Sequence, residues 1–575
     1  MRGGHLARTL SAVAVAAGGL LAVSRTADAA PQPHADQMGT IARNGVPVSV
    51  NITTAGQNAR FTFSSVAGQQ VSAYLSASTF GTTCGAVTLS LLRPNGSAFG
   101  NTVSTCNQTA FLDSQTLDTD GNWTIFVDPQ GTRTGTASLQ AFNTNDETGL
   151  VHLDGTGLPV NMANAGQNAL IKFSGTTGQK VSAHVTGANF TGCPAFALSL
   201  VRPNGTAFGN RVTSCNAAAF LEPQVLDQTG QWFVFIDPQG MTTGTATLQA
   251  YDDADEVRAL PLNGAPINVV LVPGQLGKYT FSGTTGQLVS STISASTFTG
   301  CPAYATYLRR PNGTTLGAPV NGCGATGFAD TQKLDQNGTW SIVVDPVGAN
   351  EGTANINGYT FVDDTGAILL TGKPAYLDFN KPGQNARWTF AGTSGQHVSA
   401  YVTKSTVAPC GIALSLIRPN GTMLGSAVNS CSATDFLEPR VLDQTGTWTA
   451  VVDPQGVGTG TATLRVYEVV DESLPFRPGA PLKTFTSLVP GRNASYHFTG
   501  KVGDARTVTI TGSTYPGCPS LSVSFVRPDA TVLKSTTTCT KLLTLTASSL
   551  DADGTWNVFI DPQGAAMGTM IIRIT

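Results

Sequence analysis

The sequence predicts an all-β chain: five tandem β-sandwich domains, jelly-roll-like, with one disulfide each, following a signal peptide. Three observations carry this. The stretch "LDQTGTWTAVVDPQGVGTGTATL" (Leu442–Leu464) has close relatives beginning at Leu117, Leu226, Leu334 and Leu550. The ten cysteines pair off as Cys84/Cys106, Cys193/Cys215, Cys301/Cys323, Cys410/Cys431 and Cys518/Cys539, with the first of each pair recurring every 108 or 109 residues. Within each repeat, short runs such as "NALIKFSG", "QKVSAHVTG" and "FALSLVRPNG" alternate apolar and polar residues with period two and are separated by Gly, Pro and Asn turn signals. Roughly eight such strands per repeat suit a two-sheet sandwich.

The chain divides accordingly. Residues 1–30 read as a secretory signal peptide: Arg2 and Arg8 are basic, "TLSAVAVAAGGLLAV" is apolar, and "ADA" (Ala27–Ala29) is a small-x-small cleavage signal. The apolar run falls short of the roughly 20 residues of a membrane span, and none of that length follows, so no membrane insertion is expected after its removal. A leader (31–45) precedes repeats at 46–143, 153–251, 261–360, 369–468 and 477–575. The expected product is secreted and extracellular. Charged residues make up only 12% and the net charge is −3, which gives no electrostatic basis for nucleic-acid binding.

Export to an oxidising compartment favours disulfides over free thiols, and none of the cysteine spacings gives the C-x-x-C pairs of zinc sites. One bond within each repeat is the simplest pairing. Closing a loop of about 22 residues contributes on the order of 3 kcal/mol in the chain-entropy picture.

Each recurring motif has a physical role. "RPNG" (Arg93–Gly96, Arg202–Gly205, Arg310–Gly313, Arg418–Gly421) ends a strand with Asn-Gly, which tolerates positive φ in a tight turn. The fifth copy reads "RPDA" (Arg527–Ala530), so its turn is expected to differ. The "NGT" sequons at Asn204, Asn312 and Asn420 are read as turns rather than glycan acceptors. "DPQG" and its variant "DPVG" stop ladder pairing and reverse the chain. Trp123, Trp232, Trp340, Trp448 and Trp556 each open a strand whose later alternate positions are apolar, which assigns them to the core. Three charged positions recur in all repeats: the Arg of "RP", the Asp of "LD" (Asp118, Asp227, Asp335, Asp443, Asp551) and the Asp of "DP" (Asp128, Asp237, Asp345, Asp453, Asp561). They are expected to form an Arg–carboxylate contact that ties two turns together.

The connectors "NTNDETG" (Asn143–Gly149), "DDADEVR" (Asp252–Arg258), "VDDTG" (Val362–Gly366) and "VVDES" (Val469–Ser473) are acidic and fall at one phase. They read as solvated linkers, with Ca²⁺ held between carboxylates and carbonyls as the alternative. No other cofactor is implied, and no metal or binding residues are assigned.

The pattern "LSLxRPNG … LDxxGxWxxxxDPxGxxxGTATL" resembles bacterial pre-peptidase C-terminal (PPC-like) domains over most of each repeat. The resemblance implies jelly-roll-like sandwiches that accompany secreted enzymes, some relatives binding collagen or polysaccharide. The cysteine pair in every repeat and the absence of a neighbouring protease domain depart from the family, and no functional residue transfers.

No reactive set recurs. His152, His184, His397 and His497 occupy different positions in their repeats, and no G-x-S-x-G, H-E-x-x-H, P-loop or dinucleotide fingerprint occurs. The chain is therefore read as a non-enzyme. The leading expectation is multivalent binding to an extracellular polysaccharide or a matrix or envelope protein; a structural stalk or spacer with no ligand, and a Ca²⁺-stiffened array, are the alternatives.

Overall fold

A computed structural model describes residues 35–575 apart from Cys106 and Cys410. The segment read as a signal peptide lies outside the described residues. All regular elements described are strands, and no helix is long and apolar enough to cross a membrane.

The first repeat shows the plan. Its strands are β1 (Gln37–Thr40), β2 (Val48–Ile52), β3 (Ala59–Ser65), β4 (Gln70–Ser76), β5 (Val87–Leu92), β6 (Ala98–Ser104), β7 (Ala110–Thr116), β8 (Gly121–Pro129) and β9 (Gly135–Asn143). They form a five-stranded sheet in the order β1-β3-β8-β5-β6 and a four-stranded sheet in the order β2-β9-β4-β7. Counted from β2, the order is second, seventh, fourth, fifth in one sheet and first, eighth, third, sixth in the other. All pairings are antiparallel except that of β1 with β3. The remaining repeats give the same two orders, making ten sheets.

Period-two alternation explains why the sheets pair. Along β8, Trp123, Ile125 and Val127 are fully buried while the residues between them are half-buried. One apolar cluster in each repeat gathers residues from both sheets: Val50 and Leu112 from one layer meet Phe61, Leu89 and Trp123 from the other. The five recurring tryptophans are fully buried, as their position on an alternating strand requires. Each indole N–H donates to the carbonyl four residues earlier, at 2.9–3.1 Å, so the one polar atom of the ring is satisfied inside the core.

The expectation of five separate sandwiches needs correction, because the units are not separate. The segments read as leader and linkers are themselves strand: Gln37–Thr40, Glu147–Leu150, Glu256–Ala259, Asp364–Ala367 and Glu472–Pro475 each pair in parallel with the strand equivalent to β3 in the unit that follows. Hydroxyls of one unit bond the backbone of the next. Ser72 Oγ donates to Ala165 O at 2.6 Å, Ser290 Oγ to Pro382 O at 2.6 Å, and Ser399 Oγ to Pro490 O at 2.9 Å. All three serines are buried.

A glycine completes each joint. Gly166, Gly274, Gly383 and Gly491 have φ of 80–86° and sit against the preceding unit; a Cβ on Gly383 would lie 2.5 Å from Thr331 Oγ1 and 3.2 Å from Ser290 Cβ. The equivalent Gly56 has φ +82° but would meet nothing within 4 Å. This pair separates backbone strain from close approach. Gly56→Ala is expected to cost about 1–2 kcal/mol through φ alone, whereas Gly383→Ala adds roughly 1–3 kcal/mol of overpacking. Chemical denaturation of the two variants of the full chain checks this; equal losses would mean that the joint bears no load.

Candidate functional site: grooves between units

The repeated charged residues resolve into scaffold. Arg93, Arg202, Arg310, Arg418 and Arg527 each grip the "LD" aspartate, Asp118, Asp227, Asp335, Asp443 and Asp551, at 2.8–2.9 Å. The same guanidinium donates to the backbone just past the turn, for example to Ala98 O and Ala207 O, so two loops are tied at one point. The "DP" aspartates stand apart from this clasp, and burial raises Asp345, Asp453 and Asp561 above the ordinary carboxylate range. The "RPDA" turn is no different from its relatives. Ala530 adopts φ +68°, its N–H donates to Arg527 O at 3.0 Å, and Asp529 Oδ1 accepts from Thr531 N as Asn204 Oδ1 does from Thr206 N.

Cys193–Cys215, Cys301–Cys323 and Cys518–Cys539 are bonded, each with Cα atoms 4.5 Å apart. Cys84 and Cys431 are also disulfide-bonded; the partners expected for them, Cys106 and Cys410, lie outside the described residues. The segment around the first cysteine matters because of what it faces.

A phenylalanine recurs at one position of β7 and of its equivalents in three further units: Phe111, Phe220, Phe328 and Phe436. It points away from the core and is half-buried. On the neighbouring strand it lies opposite Tyr74, His184, Thr292 and Tyr401 respectively. His184–Phe220 and Tyr401–Phe436 are edge-on pairs with centroids 5.8 Å apart. Sequence reasoning passed over these residues, although recurrence of an aromatic on the strand face opposite the core was a usable signal.

The next unit builds a second wall opposite these rings. At the third–fourth joint a groove of about 790 Å³ is lined by Thr292, Thr326, Phe328 and Tyr359 on one side and by Pro382, Pro409, Gln455 and Val457 on the other. At the fourth–fifth joint the equivalent groove, about 410 Å³, lies between Tyr401, Thr434, Asp435, Phe436 and the set Pro516, Gly517, Pro519, Gln563, Ala566. In both, the far wall takes residues from around the unit's first cysteine and from the "DPQG" turn, joined in the third–fourth groove by Pro382. Asp435 is buried with Oδ2 unpartnered, and burial pushes it up to about 6. Aromatic faces, prolines, threonines and one amide make an amphipathic lining with little charge.

The acidic connectors are taken up by protein groups. Asp36 and Asp363 each accept from a backbone amide, of Asn58 and Asn385, and pair with Arg60 at 2.6 Å and Arg387 at 2.9 Å. Asp471 caps Asn493 N at 2.8 Å. Two of these aspartates bridge units: Asp146 exchanges hydrogen bonds with Gln70, and Asp255 sits between Lys180 and Lys278. Among the described residues, no group of three or more His, Cys, Asp or Glu could hold a metal ion. His497 Nε2 lies 2.8 Å from Ser473 Oγ.

Asp253 is the buried acid of the second–third joint. It is wholly inaccessible, accepts from Ser182 Oγ at 3.1 Å, packs its carboxyl against Gly274, and has Oδ2 unpartnered. Burial pushes it up to about 7. Since the unfolded carboxyl titrates near 4, folding takes up a proton between about pH 4 and 7, and stability falls as pH rises through that window. Asp253→Asn keeps the acceptor for Ser182 and removes the charge. Its melting temperature is expected to decline less between pH 5 and 8 than that of the wild type; parallel profiles would contradict the assignment.

No family model matches the chain, and no curated protein matches it. Among solved structures it is similar to the Bacteroides ovatus mixed-linkage glucan utilization locus protein SGBP-B in complex with a mixed-linkage heptasaccharide, at 12% identity, covering 76% of this chain and 98% of that one, with a TM-score of 0.12. It is also similar to an archaeal virus protein described by its triple jelly roll fold and turret assembly, at 11% identity, covering 55% of this chain and 89% of that one, again with a TM-score of 0.12. At such TM-scores neither likeness carries an argument about this chain.

Proposed function

We propose that the chain is an exported, non-catalytic repeat protein that binds a neutral extracellular polymer multivalently through the grooves between its units. The observation that carries this reading is the equivalence of the third–fourth and fourth–fifth grooves, each assembled from one unit's phenylalanine and, in the next unit, residues around the first cysteine and the "DPQG" turn. A polysaccharide fits the lining better than a charged matrix protein. Sugar rings offer apolar C–H faces to aromatic rings and hydroxyls to Gln and Thr, and the groove offers little charge to an ionic partner. The five units are read as jelly rolls on their strand order, in line with the resemblance to PPC-like domains. Successive grooves on one rigid chain raise the effective concentration for each further contact on a polymer.

The chain from Ala30 onward is expected to co-sediment with at least one of insoluble cellulose, chitin or peptidoglycan. Replacing Phe111, Phe220, Phe328 and Phe436 together by Ala should abolish pelleting, and single replacements should weaken it about tenfold or less. A chelator should change nothing, because the junction aspartates already have protein partners. Pelleting on no matrix would shift the reading to a ligand-free spacer; chelator-sensitive pelleting would restore the Ca²⁺ alternative.

A further inference from the structure

The third unit departs from its sisters inside the core. Where the first, second and fourth units carry Ala73, Ala183 and Ala400, it has Ser291; where they carry Leu89, Leu198 and Leu414, it has Thr306; where they carry Leu112, Leu221 and Leu437, it has Ala329. The sister side chains are buried to 0%. Where Phe99 and Phe208 pack edge-on against Trp123 and Trp232 with centroids 4.9 Å apart, the third unit has the shorter Leu316, as the fourth has Leu424. Three replacements particular to this unit, together with the shorter Leu316, shorten or polarise side chains around one point between the two sheets.

The result is a cavity of about 90 Å³ beside Ile342, Val289 and Leu308, severalfold the roughly 10–15 Å³ that one water requires. Its polar wall is Ser291, Thr306, Asp330 and Gln332. Ser291 Oγ and the Gln332 amide have no hydrogen-bond partner among the described residues. The corresponding glutamines are engaged: Gln115 donates to Ser114 O at 3.1 Å and Gln224 to Glu222 O at 2.9 Å. Ala329 is only half-buried, so the cavity opens to solvent at the edge where its strand meets Thr315–Gly322.

We infer that the third unit holds a pocket of its own for a small neutral polyhydroxylated ligand, on the scale of a single sugar ring. The apolar floor suits a C–H face, and the hydroxyl and amide wall suits ring hydroxyls. A hydrocarbon would leave Ser291 and Gln332 desolvated and unpaired, while Thr306 Oγ1 donates to Val320 O at 3.5 Å and the one carboxylate, Asp330, already accepts from Thr331 N at 2.6 Å. The inference is independent of the grooves, which use other residues.

Saturation-transfer NMR on the full chain tests it, with free glucose and free N-acetylglucosamine in one arm and their soluble linear oligomers in the other. Transfer to at least one probe is expected; the oligomer arm is read on the chain in which Phe111, Phe220, Phe328 and Phe436 are replaced by Ala, so that binding by oligomers alone identifies a chain end as the pocket's ligand and not groove occupancy. The refilled variant Ser291→Ala/Thr306→Leu/Ala329→Leu restores the sister core and is expected to melt higher and to lose transfer at least tenfold. Gln332→Ala, which leaves the cavity open, should weaken binding about tenfold without altering the melting temperature. No transfer to any probe, meaning that water alone fills the cavity, or undiminished transfer in the refilled variant, would overturn the inference.

Discussion

The architecture depends on the joint between consecutive units. A buried serine hydroxyl on one unit satisfies a carbonyl of the next, a glycine allows the two backbones to approach, and the connecting segment is used up as a parallel strand. A buried hydrogen bond of this kind is worth only about 1 kcal/mol net, but losing its donor leaves a carbonyl desolvated. The contact therefore selects one arrangement more than it adds stability. Each groove exists only because this joint holds the segment around the first cysteine of one unit against the outward phenylalanine of the unit before it.

What each unit repeats is mostly scaffold. The Trp core, the Arg–Asp clasp and the Asn-capped turns are all satisfied internally and leave little exposed chemistry. Function is assigned to what the repeats expose at their joints, and to the one unit that breaks the pattern. Opening a core by leucine-to-alanine changes costs about 2–5 kcal/mol per site. The third unit retains such an opening and lines it with polar atoms, the kind of local cost that a binding site imposes on a fold.

The strands, turns, core tryptophans and Arg–Asp contacts were legible in the sequence because each is local: period-two alternation and turn chemistry are written within ten residues. Cys193–Cys215, Cys301–Cys323 and Cys518–Cys539 were legible from spacing. The joints were not, since Ser72 and Ala165 lie 93 residues apart and neither looks unusual by type. The acidic connectors misled for a related reason: charge suggested solvation, whereas Asp253 is wholly buried and Asp255 is held by two lysines from different units. "RPDA" misled because Asp can take the capping role of Asn, and Ala530 accepts a positive φ that Gly accepts more readily. The cavity becomes visible only when the repeats are aligned and Ser291, Thr306 and Ala329 are seen to lie around one point.

The central claim is that neighbouring units form a stiff array whose grooves have fixed walls. Spin labels at Thr285 and Ser394, exposed and at equivalent turns of the third and fourth units, would test it by pulsed dipolar spectroscopy on the full chain. A single narrow distance distribution, unchanged by added salt or chelator, is the predicted result. A broad distribution spanning many separations would show independent beads on a flexible string, and with it the loss of any groove that two units must build together.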